Sequence, residues 1–101
     1  MTTLGKRWAF KMSPEQLQSA INEIRKAIMI LAKCPNDTWE TINPDKRTRG
    51  LLAVAQALGI HRVNIYHFLQ GKYYMAPRHV QTLYQLTQGN INKAKIRPDL
   101  F

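Results

Sequence analysis

The sequence predicts an all-α domain, a small helical bundle, on three observations. Apolar residues recur at helical spacing across 14–33. Helix-start signals stand at Ser13-Pro14 and at Pro77. A glycine, Gly59, separates two short segments of apolar periodicity within 51–70. With 101 residues, 45% of them apolar, the chain has room for one domain and one core and is not disordered by composition. Residues 13–101 are read as that single domain, preceded by a basic and aromatic arm, 1–12.

In the arm, Lys6, Arg7 and Lys11 alternate with Trp8 and Phe10. Its two aromatics are expected to cover the core edge, in preference to an arm that touches DNA. The first helix is expected over about 14–33. Ser13 can cap it, Pro14 suits the first helical position, and Gln16 completes a capping box. Leu17, Ala20, Ile21, Ile24, Ala27, Ile28 and Leu31 form its inner stripe, with Asn22, Glu23, Arg25 and Lys26 on the other side. Met29, Ile30 and Ala32 widen the apolar face. An ordinary core helix accounts for this better than a second subunit does. Pro35 is expected to stop the helix.

Residues 35–48 read as a connection anchored by Trp39 and Ile42. Lys46, Arg47 and Arg49 cluster just before the next helix. Cations at a helix N-terminus oppose the helix dipole, so an external anion explains the cluster better than helix stability does.

Residues 51–70 read as a helix-turn-helix. Ala55 allows two helices to approach closely, and Gly59 ends the first of them in a left-handed conformation. Ile60 plugs the core, and Val54, Leu58, Ile65 and Phe68 face it from both helices. Arg62, Val63, Asn64, Tyr66, His67 and Gln70 are then left facing outward. These side chains match base-edge chemistry: Arg with guanine, Asn or Gln with adenine, an apolar group with the thymine methyl. The first turns of such a second helix read bases, so Arg62, Val63 and Tyr66 are the leading base readers, with Asn64 and His67 behind them. Gln70, Lys72 and Tyr73 come at its far end and suit phosphate, as do Lys46, Arg47 and Arg49.

Lys72-Tyr73-Tyr74-Met75 reads as a linker. Pro77 opens another helix, with Val80, Leu83, Tyr84 and Leu86 inward and Gly89 closing it. Arg78 and His79 in its first turn form a candidate phosphate clamp. The tail, 90–101, carries Ile91, Ile96, Leu100 and Phe101 and is expected to fold back on the domain or on a partner subunit.

The charge bounds the partner. Fifteen Lys and Arg against six Asp and Glu give +9, with a pI near 10.1, an excess that draws polyanions. The single cysteine, Cys34, permits no intrachain disulfide and fits a reducing compartment. Cys34 with His61, His67 and His79 lacks metal-ligand spacing, so neither a metal nor a cofactor is expected. No signal-peptide core is seen, and the longest apolar run, 27–32, is far short of a membrane span. The expected location is cytoplasmic and nucleoid-associated, without membrane contact. No carboxylate pair, nucleophile with a base, or Gly-rich phosphate loop argues for an enzyme.

Residues 51–101 resemble the YdaS-like and Cro-like small phage and prophage repressors. The resemblance rests on the Ala55…Gly59-Ile60 turn, Phe68-Leu69-Gln70-Gly71, Ala76-Pro77-Arg78, Leu86-Thr87-Gln88-Gly89 and Ile96-Arg97-Pro98-Asp99-Leu100. It implies a lambda-repressor-like DNA-binding domain, here with an extra long N-terminal helix. It also implies binding to double-stranded operator DNA through the second helix of the motif, as a homodimer. The rival reading is an antitoxin-type protein that chiefly masks a toxin-like partner through helix 14–33 or the tail, with DNA autoregulation secondary. RNA is disfavoured because its deep, narrow groove excludes a helix.

Overall fold

A computed structural model of the chain describes residues 11–34 and 36–101. Lys6, Arg7, Trp8 and Phe10 of the expected arm, and Pro35, lie outside the described residues. Among the described residues five helices follow in order: α1 (Pro14–Leu31), α2 (Pro44–Leu58), α3 (Arg62–Leu69), α4 (Pro77–Leu86) and the single turn α5 (Lys93–Ile96). No strand occurs among the described residues.

The capping box of α1 is complete. Ser13 Oγ accepts from the Gln16 amide at 3.1 Å, and Gln16 Oε1 accepts from the Ser13 amide at 2.9 Å. The helix stops at Leu31, short of the expected Lys33. Lys33 takes a left-handed conformation (φ 59°), and the Cys34 amide reaches back to the Met29 carbonyl. This reversal ends the helix before any proline is met.

The second helix begins at Pro44, earlier than expected. Asn43 Oδ1 accepts from the Asp45 and Lys46 amides, Pro44 occupies the first turn, and Asp45 places a carboxylate at the positive helix end. A segment that reads as the end of a loop is therefore a well-capped helix start. Lys46, Arg47 and Arg49 accordingly lie on α2 and not ahead of it. Within α2, Gly50 is buried where α2 crosses α1, and a Cβ there would collide with the Ile28 carbonyl.

The core joins these five helices. Ile24, Ala27 and Ile28 of α1 meet Leu51, Val54, Ala55 and Leu58 of α2, Ile65 and Phe68 of α3, Val80 and Leu83 of α4, and Ile96 of α5. Trp39, Ile60, Leu69 and Leu86 pack on its margin, and Ile42 is buried in the connection.

Three placements differ from expectation. Glu23 is inside, only 7% exposed, because its carboxylate accepts the Asn92 backbone N–H at 2.8 Å. Met75 is no linker residue: its side chain is fully buried, and its carbonyl accepts from Arg97 Nη1 at 3.0 Å. Tyr84 is 37% exposed, and Thr87 takes the inner position, its hydroxyl donating to the Leu83 carbonyl. The reversal after α4 involves Gln88 (φ 55°) as well as Gly89.

The tail folds back through Ile91 and Ile96, while Leu100 and Phe101 stay exposed. Arg97 ties it to the domain through the Met75 carbonyl and makes two hydrogen bonds within the tail to the Asp99 carboxylate, at 2.9 and 2.7 Å. Those bonds hold the Asp99 carboxyl below its usual pKa.

Candidate nucleic-acid interface

Helices α2 and α3 are joined by Gly59, Ile60 and His61 alone. Gly59 is left-handed (φ 70°), and the Ile60 amide reaches back to the Ala55 carbonyl at 3.0 Å. Satisfying the last carbonyls of α2 this way turns the chain within three residues. His61 then caps α3, its Nδ1 accepting from the Val63 amide at 3.1 Å. That bond leaves Nε2 as the free imidazole nitrogen. Spacing alone does not mark His61; its place one residue before the helix is the signal for it.

Ile65 and Phe68 anchor α3 in the core, with Leu69 partly buried. Arg62, Val63, Asn64, Tyr66 and Gln70 are left exposed. Val63 and Tyr66 are 44% and 42% exposed, and their three-residue separation places them on adjoining parts of one face. His67 departs from the expected outward position. It is half-buried, edge-on to the Tyr73 ring at 5.3 Å, and its Nδ1 is shielded from solvent. Tyr73 itself is well exposed.

The cations divide into two kinds. Lys46, Arg49, Lys72 and Arg78 are exposed. Arg47 is engaged within the fold. Its Nη1 donates to the Trp39 carbonyl at 3.2 Å, and its guanidinium lies 5.2 Å from the centre of the Trp39 ring, with Arg25 at 5.3 Å from that ring. Trp39, Arg47, Thr48, Leu51, Tyr66 and Leu69 line a cleft of about 230 Å³, which brings Arg47 and Tyr66 to one place.

Helix α4 starts with no side-chain cap and no acid in its first turn. Arg78 and His79 stand there instead. Burial lowers the His79 pKa, and the neighbouring Arg78 charge lowers it further. A helix start with cations and no anion carries unused positive potential.

The charge is confined along the chain. Residues 46–98 hold nine Lys and Arg and no Asp or Glu. The remaining residues hold six of each sign, so the net charge of +9 arises wholly within 46–98. This stretch contains α2 from Lys46 onward, α3, α4 and α5. Among the described residues no group of three His, Cys, Asp or Glu could hold a metal, and no helix is long and apolar enough to cross a membrane. No family model, curated protein or solved structure matches this chain.

Proposed function

We propose that this protein is a sequence-specific DNA-binding transcriptional regulator of the Cro-like type, and that α2 and α3 act as a lambda-repressor-like helix-turn-helix. One observation carries the reading. Helix α3 exposes Arg62, Val63, Asn64, Tyr66 and Gln70 within a stretch that has no carboxylate and carries the entire net charge. The first turns of α3 enter the major groove, where Arg62, Val63 and Tyr66 meet base edges, with Asn64 beside them. Lys46, Arg49, Gln70, Lys72, Tyr73 and Arg78 hold the phosphates on either side. Arg47 takes part through the cleft it shares with Tyr66. His67 supports Tyr73 more than it reads a base. The protein acts in the cytoplasm, on the nucleoid, as a homodimer on a two-fold operator.

Selection of bound sequences from random duplex DNA tests this. The expected result is a palindromic motif with half-sites about 10 base pairs apart, or a multiple of that. A pool that fails to enrich any sequence overturns the reading.

A second reading has one observation in its favour. Met29, Ile30 and Cys34 line a hollow of about 780 Å³ rimmed by Lys26, Lys33, Asp37 and Asn90. An antitoxin-type role would seat a toxin-like protein there, and co-purification of a small partner with the protein in its native host would favour it.

A further inference from the structure

Val63 lies in the first turn of α3 with 44% of its surface in water. Valine is a poor helix former because its branched Cβ restricts χ1, and here no core contact recompenses it. One turn on, Tyr66 is 42% exposed on an adjoining part of the same face. The helix thus presents an apolar side chain and an aromatic ring beside three polar groups, Arg62, Asn64 and Gln70. No carboxylate is available anywhere in 46–98 to accept from a cytosine amine, which is the usual way that base is read. The remaining chemistry leaves guanine to Arg62, adenine to the amides of Asn64 and Gln70, and the pyrimidine 5-methyl group to an apolar surface.

We infer that Val63, with Tyr66 as the second wall, reads the 5-methyl group of a thymine in the major groove. The inference rests on the DNA-binding reading above and adds to it the group that is recognised. It makes Val63 a specificity-determining residue whose contribution comes from removing a methyl from water.

The test uses the full chain and the duplex obtained by selection. Each thymine is replaced in turn by deoxyuridine, which removes the methyl and leaves the base-pairing edge intact. At one position of each half-site the wild-type protein should bind about fourfold more weakly, the effect of one methyl-sized group left unburied. With Val63→Ala, uridine and thymine at that position should bind alike. Cytosine at that position should bind more weakly than 5-methylcytosine by a similar factor, since both methylated bases present the same group. Val63 is exposed and alanine is the better helix former, so the variant should melt at or slightly above the wild-type temperature.

A uridine scan flat within twofold overturns the inference, as does a uridine effect that persists in Val63→Ala or a cytosine that binds as well as its methylated form. In each of those cases the protein still binds duplex DNA and the regulator reading stands. Failure to bind any duplex overturns both.

Discussion

A Cβ atom on Gly50 would stand against the carbonyl oxygen of Ile28, with the Ala32 Cβ 3.0 Å away. The backbones of the two segments lie close together here, and the obstacle is mostly backbone, which cannot swing aside. Gly50→Ala should therefore destabilise the domain by about 1–3 kcal/mol through overpacking. The sign is informative, because alanine in place of a mid-helix glycine is otherwise favourable. A thermal melt at unchanged or higher temperature would show that the two helices do not need this contact.

A hydrogen bond of 2.8 Å from the Asn92 amide to the Glu23 carboxylate ties α1 to the segment just before α5. Glu23→Ala removes the acceptor and leaves a half-buried N–H without a partner. A loss of about 1–3 kcal/mol is expected in chemical denaturation. Glu23→Gln keeps a carbonyl oxygen and should recover much of it. Equal losses in the two variants would mean that the carboxylate charge, not the hydrogen bond, is what matters.

On the proposed function, base readers and phosphate contacts should separate in binding assays. Arg62→Ala should cost about 1–3 kcal/mol on the selected site and relax preference at one base position. Lys46→Gln and Arg49→Gln should weaken specific and random duplexes alike. Each should reduce the slope of log affinity against log salt by about 0.9. If Arg62→Ala instead weakens both duplexes equally, Arg62 is a phosphate contact.

The His79 shift gives a pH dependence of stability. Burial, reinforced by Arg78, makes the folded state favour the neutral ring. The stabilisation is complete above the ordinary imidazole pKa of about 6.5. It declines as pH falls below that value and stops declining once the lower folded pKa is passed. His79→Gln should flatten this part of the melting-temperature profile between pH 8 and pH 5. Profiles that run parallel would exclude His79 as the source.

Much of the fold was legible because its signals are local. The box at Ser13 and Gln16, Pro77 at the head of α4, the Gly59 turn and the inward stripe of α1 all depend on neighbours within a few residues. Asn43-Pro44-Asp45 carried an equally local cap, yet it reads as a loop when the basic residues behind it draw attention to an anion. The other departures are non-local. Glu23 is buried for the sake of an amide 69 positions away, and Met75 is held under Arg97, 22 positions on. The small residue at Gly50 answers to the backbone of a different helix. At the candidate site, the exposed set of α3 followed from Ile65 and Phe68 turning inward. The engagement of Arg47 with Trp39 and of His67 with Tyr73 could not be seen from spacing. The confinement of the net charge to 46–98 was readable from residue order alone.

The core that seats α3 also takes in Ile91 and Ile96, and this bears on the order in which the molecule comes into being. During synthesis α1 is complete long before the residues that close over it have been made, whereas α2 and α3 are neighbours in time as well as in space. Local pairing of α2 with α3 can begin early, but the shared core is finished only once Ile96, which seats α5 against α1 and α4, has been made. A partly made chain therefore lacks the closing side of the core, and its helices are held less firmly than in the folded domain.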